Sequence, residues 1–143
     1  MKALIFAMLF AAPAFGACRT DSYEGNSYSL CDVTVGQDVR LFLSDDAGEI
    51  YGSFDRVNDS VDGKLVFAMN AGMYLPDRRP VGLYVENGEA QSRLQTAGSA
   101  GNFGLLPNGV FCIANDGFAV IESRNFKASK PECRFASQSG PML

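Results

Sequence analysis

Histidine and tryptophan are both missing from the 143 residues. Without histidine the chain has no Ser-His-Asp or Cys-His machinery, no His-ligated zinc and no imidazole acid–base group. The aromatic side chains are Phe and Tyr alone. Cationic residues are few: 12 Lys and Arg stand against 16 Asp and Glu, for a net charge of −4, so there is no basic footprint for nucleic acid. The apolar run over residues 3–12 is too short to serve as a permanent membrane anchor. The four cysteines include no pair at the close spacing of a zinc knuckle, and no metal site is expected. Internal repeats and low-complexity tracts are absent too.

What is present is ordinary globular composition, 47% hydrophobic and 20% charged, in a chain long enough for one domain with a core. The N-terminus carries the plainest signal. Met1-Lys2 supplies a short positive region, residues 3–12 an apolar stretch, and Ala14-Phe15-Gly16 small residues where a signal peptidase reads. Residues 1–16 are therefore expected to be a signal peptide cleaved before Ala17. A buried N-terminal helix is the weaker alternative, because Pro13 and Gly16 would break it. A lipoprotein signal ending at Cys18 is another alternative, with Phe15 a poor fit to it. Export implies a periplasmic or secreted protein with no transmembrane anchor once the leader is removed.

An oxidising compartment makes disulfides the expected use of four cysteines, which allow three pairings. Closure of sequence-local loops favours Cys18–Cys31 with Cys112–Cys133.

Turn and period signals predict an α+β fold, mostly antiparallel or mixed β-sheet with one early helix. Residues 19–26 read as polar turn, and residues 27–34 and 39–43 as strands, the second with Val39, Leu41 and Leu43 on one face. Asp45-Asp46-Ala47-Gly48 reads as the turn of a hairpin. A helix is expected over residues 53–62, capped by Ser53, with Phe54, Val57 and Val61 on one face and Gly63 at its end. Residues 65–69, Leu-Val-Phe-Ala-Met, do not alternate and read as a buried central strand. Strands follow over residues 81–86 and 89–94, joined by Asn87-Gly88, then over 103–106, 110–113 and 118–122.

The central run stops at Asn70-Ala71-Gly72, where an amide and a glycine meet a strand end, a place suited to presenting backbone N–H groups to a ligand. Arg78 and Arg79, between Pro76 and Pro80, are the visible phosphate candidates, since a guanidinium forks onto two oxygens. Asp77 between them is a candidate base or cation ligand, or simply an exposed loop carboxylate. The last two residues, Met142-Leu143, are apolar and read as the start of a further strand, which suggests an incomplete domain over residues 17–143; an ordinary frayed tail is the alternative.

Several segments together resemble the phosphodiester glycosidase (uncovering-enzyme-like) family, and in particular its bacterial exported members. They are Asn70-Ala71-Gly72-Met73-Tyr74, Pro80-Val81-Gly82-Leu83-Tyr84, the Asn87-Gly88 turn, Phe103-Gly104-Leu105 with Asn108-Gly109, and Ser139-Gly140-Pro141-Met142-Leu143. The likeness covers the second half of the chain in order. The family's later Arg segment and Asp-Gly-rich, Ser-containing loop have no counterpart here, so the resemblance is to the front part of that domain. It implies a hydrolase, a glycosidase cleaving a sugar from a phosphodiester in envelope or exopolysaccharide material, and inactive as this fragment. It points to Asn70 and Ser139 as catalytic-site positions. It points to Gly72, Arg78, Arg79, Asn102, Gly104 and Gly140 as substrate-binding positions. The cofactor is not indicated, and the partner is a carbohydrate phosphodiester. A non-catalytic carbohydrate-binding or envelope-interaction domain is the alternative, and a small disulfide-stapled structural protein a third reading.

Overall fold

The computed structural model describes residues 18–142. The expected leader, its cleavage point before Ala17, and Leu143 lie outside the described residues. The fold is α+β, mostly antiparallel β, and the chain divides into two compact units that meet between Thr34 and Val35.

The first unit is a hairpin of β1 (Cys18–Tyr23) and β2 (Asn26–Cys31). Its turn is Glu24-Gly25, with φ of +47° and +78°, the positive pair that a two-residue turn matching strand twist requires. Residues 19–26, expected as turn, are thus mostly strand. The sequence CRTDSY has no apolar alternation, because this strand is held by turn geometry and a cross-link rather than by burial. Tyr23 pairs with Asn26 next to the turn. Counting in twos from that pair makes Cys18↔Cys31 one of the close, non-hydrogen-bonded pairs, where a cross-strand disulfide fits. The sulfurs are indeed bonded. Arg19 and Asp32 form an ion pair at the open end.

The second unit is built on a five-stranded antiparallel sheet. Its strands are β3 (Tyr84–Glu86), β4 (Glu89–Ser92), β5 (Gly109–Ala114), β6 (Gly117–Glu122) and β7 (Phe135–Ser139), in the spatial order β4-β3-β7-β5-β6. Two tight hairpins supply the flanks. Asn87 and Gly88, with φ of +53° and +83°, turn β3 into β4, and Asn115-Asp116 turns β5 into β6. The last strand then inserts between them, pairing Tyr84 and Phe111 on either side of Ser137.

Alternation along these strands makes two cores. One face buries Leu41, Tyr84, Ile113 and Phe135, with Val39, Leu43, Phe111 and Phe118 packed on them. The other buries Leu83, Val85, Val110 and Ala136 beneath Leu94, Phe126 and Cys133. Phe126 comes from α2 (Ser123–Ser129), a second helix that sequence periodicity did not reveal. Glu122 caps it by accepting from the Asn125 N–H at 2.9 Å, and Cys133 behind it is bonded to Cys112 of β5.

The early helix is α1 (Phe54–Ser60), capped as expected by Ser53, whose hydroxyl accepts from the Arg56 N–H at 3.3 Å. Val57 is its buried residue. Residues 39–43 present Val39, Leu41 and Leu43 to one core, as their alternation requires, but form no ladder. The Ser44↔Ile50 bridge closes the Asp45 turn, inside which the Ala47 and Glu49 N–H groups donate to Asp45 Oδ1.

Three further expectations are corrected. Residues 65–69 are not a central strand: Val66, Phe67 and Met69 are 66%, 42% and 73% exposed, and nothing described pairs with them. Residues 103–106 are not a strand either; a single 3₁₀ turn, Asn102–Gly104, takes their place. The strand near Ser139-Gly140 lies before the glycine, over Phe135–Ser139, rather than after it.

Candidate functional site

The centre of the sheet is an unusual place for polar side chains, yet β7 reads Phe-Ala-Ser-Gln-Ser. Burying a primary amide without partners costs on the order of 2 kcal/mol or more, so a buried glutamine must be surrounded by donors and acceptors. Gln138 is 2% exposed and meets that demand. Its Oε1 accepts from the N–H groups of Leu83 at 3.1 Å and Gln95 at 3.0 Å. Its Nε2 donates to the Gln95 carbonyl at 2.6 Å, the Ser123 hydroxyl at 2.8 Å and Asn108 Oδ1 at 3.3 Å. Two N–H bonds serve three acceptors, so the longest contact, to Asn108, is the shared one. Asn108 in turn donates to the Phe103 carbonyl at 3.3 Å, and its own carbonyl accepts from the Ser123 N–H at 3.0 Å. One side chain thereby fixes β3, the loop at Gln95, the loop at Asn108 and the start of α2 against the end of β7.

Glycines let three other segments close on the same strand end. A Cβ on Gly72 would stand 2.5 Å from Ser137 Oγ and 3.1 Å from the Gln138 carbonyl, so the Asn70-Ala71-Gly72 segment touches β7 where only a bare backbone fits. A Cβ on Gly140 would stand 2.9 Å from the Phe103 carbonyl and 3.5 Å from that of Asn102. Gly82 lies equally close to the Phe103 ring and to Gln138 Oε1. Gly72, Asn102, Ser139 and Gly140, expected as site positions, are thus gathered around the C-terminal end of β7. Asn70, two residues before Gly72, is exposed, and its amide has no hydrogen-bond partner among the described residues.

Gly104 serves a different purpose. A Cβ there would overlap Ser99, whose N–H donates to the Gly104 carbonyl at 3.3 Å, so the missing side chain closes the loop over residues 99–104. Arg78 and Arg79 sit at the tip of a small hairpin whose base joins Met73 to Val81. That base lies between Gly72 and Gly82, the two glycines that approach Ser137 and Gln138. Both cations have neighbours at the tip. Arg79 Nε donates to Asp77 at 2.7 Å, and the Arg78 guanidinium lies 5.1 Å from the Tyr74 ring centre.

The electrostatics favour charged over neutral acids. Arg79, through its guanidinium and then its backbone N–H, holds the Asp77 carboxyl below its ordinary range. Arg40 does the same for Asp38, and the first N–H groups of α2 for Glu122. Burial, followed by its hydrogen bond to Glu86, pushes Tyr84 upward. None of these is a proton donor suited to neutral pH. Among the described residues no group of three or more Cys, Asp or Glu side chains could hold a metal ion, and no helix is long and apolar enough to cross a membrane. A cleft of about 340 Å³ opens at the opposite end of β5, between residues 35–40 and Asn115, Phe118 and Arg134.

The Gln138–Asn108–Ser123 network escaped sequence reasoning. Its one visible sign is a polar triplet, Ser137-Gln138-Ser139, following the apolar Phe135-Ala136, and that pattern equally describes a solvated strand.

The chain is 35% identical over 144 residues to Escherichia coli K12 "Uncharacterized protein YigE". The match takes in 99% of this chain and 56% of that protein, so the chain spans little more than half the length of the curated relative it matches. No protein family matches the chain, and no solved structure does.

Proposed function

We propose that this chain carries the substrate-binding part of an exported phosphodiester glycosidase, acting on a sugar joined to phosphate in envelope or exopolysaccharide material. The observation that carries the reading is the meeting of Asn70-Ala71-Gly72, Asn102 and Ser139-Gly140 at the end of β7. The uncommitted Asn70 amide orients a sugar hydroxyl or phosphate oxygen, and Gly72 and Gly140 bring main chain close to it. Ser139, with no base bonded to it among the described residues, donates or accepts a hydrogen bond rather than attacking. Arg78 and Arg79 exchange their contacts with Tyr74 and Asp77 for phosphate oxygens, a stronger, bidentate pairing. A bound phosphodiester leaves as a stabilised anion, so the reaction does not depend on a neutral carboxylic acid. Turnover requires groups beyond these, so the 143-residue chain alone is expected to be inactive. The expected leader and the disulfides support a periplasmic or secreted location.

The test uses a chimera in which this chain replaces the matched 144 residues of the E. coli relative. Hydrolysis of a sugar-1-phosphodiester, abolished by Asn70→Ala, is the expected result. A folded chimera without turnover on a panel of such diesters counts against the enzyme. The second reading, a non-catalytic carbohydrate-binding domain, is favoured by the local pairing of both arginines. It expects sugar binding that Asn70→Ala weakens, with no hydrolysis.

A further inference from the structure

Residues 65–69 pose a physical contradiction. Leu-Val-Phe-Ala-Met is a β-forming run without polar alternation, the composition of a strand covered on both faces. Here Val66, Phe67 and Met69 point into solvent. The main chain is equally unsatisfied: among the described residues, no hydrogen bond ties the backbone of residues 66–72 to any other segment. The run is nevertheless held at both ends. The Leu65 N–H donates to Asn58 Oδ1 at 3.3 Å, and Gly72 is seated on Ser137. An apolar, unpaired segment anchored at each end is a template for strand addition, and left open it is an aggregation hazard.

We infer that residues 66–72 are a strand site filled by polypeptide corresponding to the part of the E. coli relative outside the matched region, about two fifths of its length. A second copy of this chain is a poorer occupant. Edge-to-edge pairing of two such runs satisfies one row of backbone groups and leaves the side-chain faces bare. A larger folded segment supplies both a neighbouring strand and a cover over Phe67 and Met69. The strand so formed ends at Asn70-Ala71-Gly72, which places the occupant beside the end of β7. The inference stands on exposure and hydrogen bonding, independently of any substrate.

Amide hydrogen exchange tests it. The whole E. coli relative is compared, over the segment aligned with residues 66–72, with the present chain alone. Slowing by about a hundredfold or more in the longer protein is expected, against near-unprotected exchange in this chain. The same comparison in the chimera adds a variant with opposite outcomes. Phe67→Asp leaves the isolated chain's unfolding midpoint unchanged but lowers that of the chimera. Fast exchange of the segment in both proteins, with their sheets protected, overturns the inference. So does concentration-dependent dimerisation of the isolated chain that protects residues 66–72 by itself.

Discussion

A Cβ built on Gly72 would come to rest 2.5 Å from the Ser137 hydroxyl, closer than such atoms approach in folded proteins. The loop carrying Asn70 therefore reaches the middle strand because residue 72 lacks a side chain. Gly72→Ala should push that loop off β7 and cost about 1–3 kcal/mol, the usual range for overpacking. Adding Ser137→Ala should recover part of it, since the Gln138 carbonyl at 3.1 Å remains in the way. Urea midpoints of the single and double variants measure both effects; an unchanged midpoint for Gly72→Ala contradicts the contact.

Gln138→Leu keeps the approximate volume and deletes every hydrogen bond of the buried amide. Leu83 and Gln95 N–H groups, the Gln95 carbonyl and the Ser123 hydroxyl lose a partner together. The expected loss is about 3 kcal/mol or more. Gln138→Glu should also destabilise, because a carboxylate cannot donate to the three acceptors around Nε2. Thermal melts of both variants check this.

The two disulfides should act differently. Replacing Cys112 and Cys133 by serine opens a loop of sequence separation 21 within the main sheet unit, and should lower its stability by about 3 kcal/mol. Replacing Cys18 and Cys31 removes the cross-link of a two-stranded ribbon with no buried core, which is marginal by itself. The amides of β1 and β2 should then exchange as in an unfolded chain. Exchange mass spectrometry distinguishes local opening from global loss.

Asp77 should titrate below the ordinary carboxyl range, because the Arg79 guanidinium and backbone N–H both bond its charged form. A depressed folded-state pKa contributes stability that is present above the unfolded value and lost as pH falls through the folded one. The Arg78-Arg79 turn should therefore loosen only in acid. Carboxyl-carbon NMR titration should show Arg79→Ala returning Asp77 upward; no change in the variant contradicts the pairing.

Much of the local structure was legible. Ser53 caps α1 and Asn87-Gly88 turns β3 into β4, since capping and positive-φ turns are decided within a few residues. The loops closed by Cys18–Cys31 and Cys112–Cys133 are local as well. The candidate site was partly legible: the Asn-Ala-Gly and Ser-Gly segments stood out, and glycine contacts bring both to β7. Gly104 belongs instead to its own loop, and the arginines to a hairpin tip.

Residues 65–69 show where periodicity fails. An apolar run states that it needs cover, without stating whether the cover lies among these residues. Phe135-Ala136-Ser137-Gln138-Ser139 shows the converse: its polar residues read as solvent-facing, yet they form the middle of the sheet.

Residue order alone settled the turns, the helix cap, the cysteine loops and the α+β class, because each depends on torsions and spacings between near neighbours. The place of β7 between β3 and β5, the burial of Gln138 and the seating of Gly72 on Ser137 were settled only by folding. Each joins residues far apart in sequence, and whether a polar group is buried or an apolar one bare depends on which distant segments arrive to satisfy it.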